Sequence, residues 1–244
     1  MCCMCASPAE PVLPECRPDA GSVTVIYLRP QRRGSRKKAE MTDLQKHIEI
    51  MRRLCRKLDE TGLGLKRRSN GKLDTLVSFE TDVLLFMIAL SNGDGQIDED
   101  ETLAISENLG LKLSESQIHR FVERQNLSDY RLQDADIPLT MQVLVDADTE
   151  IMQREMDSYR DGTAPQISLS ANGDGPYVPI SILLYNIYQE VGASVIYSNN
   201  EVDAGENEEY NSYLAALRKY IEDELSYDED QFASKLDILG DDNT

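Results

Sequence analysis

Two stretches of this chain are apolar on nearly every side of a helix, and each runs into an acidic turn of the same spacing. The first carries Leu76, Val77, Phe79, Val83, Leu84, Leu85, Met87, Ile88 and Leu90, and the second Ile182, Leu183, Leu184, Ile187, Tyr188, Val191, Val195 and Ile196. A helix without a polar face has to be covered by its neighbours. Two of them commit the chain to a helical bundle with both at its centre. The flanking sequence supplies the cover. Leu44, Ile48, Met51, Leu54 and Leu58 recur at three- and four-residue steps from the cappable start Thr42-Asp43-Leu44-Gln45 to Gly62 and Gly64, with the basic loop Lys66-Arg67-Arg68 next. Asp74 is placed to cap the first apolar helix. Glu99 to Leu109, the Ser114–Gln117 capping box and the segment opened by Pro138 each start a further helix. Tyr210, Tyr213, Leu214, Leu217, Tyr220 and Ile221 follow the second apolar stretch as a packing stripe, and Phe232, Leu236 and Leu239 end the chain in a weaker helix. No strand pattern of period two is present. The expectation is an all-α bundle of about eight helices in two pseudo-repeated halves, residues 41–158 and 178–244, joined by a Gly-, Pro- and Ser-rich loop over 159–177.

The breaks themselves align. Set beside Tyr197-Ser198-Asn199-Asn200-Glu201-Val202-Asp203-Ala204-Gly205-Glu206, the stretch Asn92-Gly93-Asp94-Gly95-Gln96-Ile97-Asp98-Glu99-Asp100-Glu101 aligns Asp94 with Asn199, Gly95 with Asn200, Ile97 with Val202, Asp98 with Asp203 and Glu101 with Glu206. Gly95 and Asn200 suit the same left-handed turn, and Ile97 and Val202 pin it to the core. Asp98 and Asp203 stand three residues before Glu101 and Glu206. That spacing serves two chemistries: it caps a helix, and it gathers carboxylate oxygens as a hard divalent cation requires. Read as an EF-hand loop, the first turn supplies Asn92, Asp94, Gly95, Ile97, Asp98 and Glu101 at the expected places, but puts Leu90 where the first ligand belongs. Asn172-Gly173-Asp174-Gly175 imitates the loop, yet Pro176 and Ser181 make it a plain turn.

A buried helix, then Asp-Gly-x-aliphatic-Asp-x-x-Glu, then an amphipathic helix, resembles the tellurite-resistance TerB family over residues 74–125 and 178–226. The second copy replaces Asp-Gly with Asn199-Asn200. The resemblance implies a bacterial, all-helical, internally duplicated protein with a non-catalytic role in stress response, and a divalent cation, Ca²⁺ or similar, held by Asp94, Asp98 and Glu101 in one half and Asp203 and Glu206 in the other. The two turns are then expected to converge and pool their carboxylates, which requires them within about 15 Å of one another. The alternatives are a protein–protein scaffold whose turns only cap helices, and a degenerate calcium sensor.

Charge narrows the partners. The chain of 244 residues has a net charge of −19, unevenly spread: residues 41–72 hold nine Lys/Arg against four Asp/Glu, and residues 73–244 hold nine against thirty-six. An acidic body repels nucleic acid and anionic lipid and favours cations or a basic protein surface, so a protein partner is expected and nucleic acid is not. The longest apolar run, Val83 to Leu90, is too short for a membrane span, and a cytoplasmic location follows. Residues 1–40, with five prolines, four cysteines and a basic run, carry no periodic face. Met41 is read as the true start, with a basic anchoring tail as the alternative. Cys55 reads as a reduced structural thiol, and His47 and His119 as surface or half-buried helix histidines. No nucleophile elbow, phosphate loop or dinucleotide fingerprint is present, and enzymatic function is not expected.

Overall fold

The computed structural model describes residues 42–91, 99–110, 114–125, 127, 130–132, 135–163, 169–173, 175–196 and 204–240, with the backbone alone at 99–101, 125, 204 and 206. These residues form helices α1 (Asp43–Thr61), α2 (Leu65–Arg68), α3 (Thr75–Ser91), α4 (Glu99–Asn108), α5 (Glu115–Gln125), α6 (Leu139–Asp161), α7 (Ile180–Ile196), α8 (Ala204–Leu225) and α9 (Glu229–Gly240), and no strand among them. The all-α bundle is what the apolar periodicity dictates. Among the described residues no helix is long and apolar enough to cross a membrane.

α1 begins with a complete capping box between Thr42 and Gln45 and ends at Gly62, whose φ of 75° is the left-handed conformation that closes a helix. Its stripe Ile48, Met51, Leu54, Cys55 and Leu58 is buried. Burial also pushes the Cys55 thiol far above its ordinary range, as a structural thiol requires. α3 and α7 are the centre. α7 is buried at Ile180–Tyr185, Ile187, Tyr188, Val191, Gly192, Val195 and Ile196, and it packs on α1, α3, α4, α6, α8 and α9. At Gly192 the Tyr210 ring of α8 comes so close that a Cβ would lie 2.2 Å from its edge, so glycine there sets the α7–α8 distance. Phe86 of α3 joins the halves, edge-on to Tyr188 at 4.7 Å and stacked on Tyr213 at 5.5 Å.

The helix bounds keep a common spacing. α3 and α7 each have 17 residues; their starts (75 and 180), their ends (91 and 196) and the starts of α4 and α8 (99 and 204) are all 105 residues apart. α1 and α6 each pack on both α3 and α7. One core therefore serves both halves.

Three local expectations are corrected. Lys66, Arg67 and Arg68 lie in α2 rather than in an open loop, because buried Leu63 and Leu65 pull a turn of helix onto the core. The expected 158/159 boundary falls inside α6, which runs to Asp161 and stops at left-handed Gly162. At α5 the Ser114 amide donates to Gln117 Oε1 at 2.9 Å, while Ser114 Oγ turns to the same oxygen at 3.0 Å instead of capping an amide.

Candidate functional site

The two acidic turns expected to carry the chemistry, 92–98 and 197–203, lie outside the described residues, and with them Asp94, Asp98 and Asp203. Glu101 and Glu206 are placed on the first turns of α4 and α8 by backbone only. What the structure places is the frame: α3 leads into the first turn and α4 out of it, and α7 and α8 do the same for the second. The distance between the turns is not among the described geometry. Two hydroxyls adjoin the first turn in sequence, Ser91 at the end of α3 and Thr102 in α4; both are buried and neither meets a hydrogen-bond partner among the described residues.

The carboxylates that are fully described do something the sequence did not announce. Three long helices receive a carboxylate from a different helix at their N-termini, α3 in addition to its own cap Asp74, whose Oδ1 accepts from the Leu76 and Val77 amides at 3.0 and 3.2 Å as the sequence led one to expect. Asp59 of α1 accepts from the Thr75 amide at 2.9 Å and the Thr75 hydroxyl at 2.6 Å at the start of α3. Asp82 of α3 accepts from the Thr140 amide at 3.1 Å at the start of α6. Asp148 of α6, fully buried, accepts from the Ile180 and Ser181 amides, both at 2.8 Å, and from the Tyr177 hydroxyl at 3.1 Å, at the start of α7. A helix N-terminus offers unpaired amides and a partial positive charge, so a buried carboxylate fits there. Desolvation still dominates: burial raises Asp82 above the usual carboxylate range and pushes Asp148 up to about 6, with the hydrogen bonds from Ser181, Ile180 and Tyr177 pulling the other way.

An open groove lies where Asp237 and Leu239 of α9 meet Asp43 and His47 of α1 and Asn186 and Glu190 of α7. His47 Nδ1 lies 3.1 Å from Glu190 Oε1, and the Asn186 amide donates to the same oxygen at 3.0 Å. His47 is raised above its ordinary value, first by the hydrogen bond to Glu190, against a smaller opposing effect of burial. The arrangement holds a proton between an imidazole and a carboxylate, without a nucleophile beside it. Among the described residues, no group of three or more His, Cys, Asp or Glu is placed to hold a metal ion. Glu190 is 143 residues from His47, so no local signal could have shown the pair. His119, as expected, is an exposed helix residue facing Glu115.

The first hairpin is electrostatically unlike the rest. Arg53, Arg56 and Lys57 of α1, Lys66 and Arg67 of α2, and Lys72 beyond it are exposed. Residues 204–240, in contrast, carry ten Asp/Glu against three Lys/Arg.

Comparison with protein-family models, with curated proteins and with solved structures found no match to this chain.

Proposed function

We propose that the chain is a non-catalytic, acidic helical binding protein of TerB-like kind, which takes a divalent cation or a basic protein surface at its duplicated acidic turns and serves in a cytoplasmic stress response. The observation that carries this reading is the common register of the frames around the two turns. Helices of equal length, 105 residues apart, lead into them, and the second helices start at the same offset. A duplicated frame around a duplicated Asp-x-x-Glu is economical if the turn is what was duplicated. The partnerless hydroxyls of Ser91 and Thr102 beside the first turn add support, since a helical hydroxyl ordinarily bonds a carbonyl one turn back.

The test is thermal melting of the full chain in EDTA against millimolar Ca²⁺, Mg²⁺, Mn²⁺ or Zn²⁺. A ligand at about a hundred times its dissociation constant stabilises by about 2.7 kcal/mol, several degrees for a chain of this size. The expected result is a shift with one ion that disappears in the Asp98→Asn, Glu101→Gln variant. No shift with any ion would leave the turns as helix caps and remove the cation from the reading.

A further inference from the structure

We propose that the α1–α2 hairpin is a docking surface for a short acidic segment of a protein partner. The surface is Arg53, Arg56 and Lys57 on the outer face of α1, continued by Lys66, Arg67 and Lys72. It rests on other residues than the acidic turns and holds whether or not they take a cation.

The first argument is charge that the fold leaves unanswered. Within the hairpin Arg52 is tied to Glu49 and Glu80, and Arg68 to Asp146 of α6. The six cations named above make no ion pair among the described residues. Lys46 of α1 is tied to Asp43, and beyond the hairpin Arg154 pairs with Glu150, Arg160 with Asp157, Arg218 with Glu222 and Lys219 with Asp223, while Arg120, Arg124 and Lys235 make no ion pair among the described residues. In a chain with 44 Asp/Glu and 25 Lys/Arg, acidic partners are in excess, so six exposed cations without an ion pair in one hairpin are not an accident of supply.

The second argument is rigidity. Leu63 and Leu65 are buried and hold the hairpin tip to the core. Asp59 Oδ1 accepts from the Lys66 amide at 3.1 Å while the same carboxylate caps α3. The Gly71 amide donates to Lys66 O at 2.7 Å, the Leu73 amide to Ser69 Oγ at 2.8 Å, and Ser69 Oγ to Leu65 O at 2.8 Å. The Arg67 side chain lies against Gly62, within 3.4 Å of where a Cβ would stand. A surface ordered before binding loses less entropy on binding. Arginine forks on such a surface suit carboxylates, which they grip with two parallel hydrogen bonds. Leu73, 44% exposed beside Lys72, adds an apolar contact of the kind a peptide side chain covers.

The third argument fixes the class of partner. The α1 cations fall between residues 53 and 57, about 6 Å of helix at 1.5 Å per residue. A nucleic-acid strand or an anionic bilayer extends far past such a patch. Beyond about one Debye length, 8 Å at physiological salt, it would meet the acidic remainder of the molecule. A short acidic peptide segment ends before that repulsion begins.

The experiment uses the full chain under reducing conditions, with a fluorescently labelled octaglutamate peptide read by anisotropy. The expected result is binding at about 50 mM NaCl that weakens as salt rises to about 300 mM, and that falls by at least about tenfold in Lys66→Glu, Arg67→Glu. Arg120→Glu, Arg124→Glu on α5 should change it by less than about twofold, since those positions lie outside the hairpin. The neutral Lys66→Gln, Arg67→Gln variant should give an intermediate loss with an unchanged melting temperature, which separates docking from folding. Absence of peptide binding at low salt, or equal losses in the hairpin and α5 variants, would overturn the proposal. So would tighter hairpin-dependent binding of a single-stranded oligonucleotide or of phosphatidylserine vesicles.

Discussion

Tyr188 sits at the junction of the two halves with no exposed surface, and its hydroxyl meets no hydrogen-bond partner. An unpaired buried hydroxyl costs about 1–3 kcal/mol in protein interiors. The ring does the packing, edge-on to Phe86 at 4.7 Å and to Tyr213 at 6.1 Å, and phenylalanine would keep those contacts. Tyr188→Phe should therefore raise the unfolding free energy by about 1 kcal/mol and the melting temperature by about 2–4 °C. A loss of similar size in a thermal melt would mean that the oxygen has a partner after all. His47 makes the opposite case: it is half-buried, as one of the two expected readings had it, and its ring nitrogen is engaged by Glu190 from a distant helix, which the sequence did not indicate. Tyr210 and Tyr213 were legible as packing residues from their helical spacing, and both are buried.

At the scale of elements, the three cross-helix caps chain the fold together: α1 fixes the start of α3, α3 that of α6, and α6 that of α7. Asp148 carries the deepest of them, and its charge state sets a pH dependence. Its folded value, about 6, lies above the ordinary 3.8. Between those values the folded protein holds a proton that the unfolded chain has released, so this group's contribution falls as pH rises from about 4 to about 6 and is level above. Asp148→Asn removes the titration. The stability of the unsubstituted protein relative to Asp148→Asn should thus rise by about 1 kcal/mol between pH 7 and pH 5 in urea titrations. A constant difference would show that the carboxylate stays ionised throughout. The helices were readable because apolar period and end signals agree: Thr42, Gly62 and Pro138 stand at or beside the ends they mark. The caps were not, because Asp59, Asp82 and Asp148 look like any helical aspartate until a partner 16 to 58 residues away is placed beside them. α2 was missed because four residues, three of them basic, carry no period. The end of α6 was placed too early because its last turns show Met156 and Tyr159 to solvent, 66% and 79% exposed. The acidic turns were legible as a motif, but their geometry lies outside the described residues.

For the molecule as a whole, three effects of pH share one sign. The chain carries −19 at pH 7 and has a pI near 4.5, so compaction gathers like charge, and self-repulsion eases as pH falls toward the pI. His47 has a raised folded value; the stability it lends is fully present below its ordinary 6.5 and is lost as pH climbs through the folded value. Asp148 adds its contribution at the acid end of the range. The surface ion pairs, such as Lys219 with Asp223, are exposed to solvent and screened by salt, and they weigh little against these effects. The urea midpoint should therefore rise from pH 8 to pH 5.5 instead of passing through a maximum at neutrality. Salt separates the causes. Raising NaCl from about 0.05 to about 0.5 M screens long-range repulsion more than short contacts, so it should raise the midpoint at pH 8 and change it less at pH 5.5. A midpoint that is flat or falls on acidification, or that drops with salt at pH 8, would mean that local ion pairs and not net charge govern the stability of this fold.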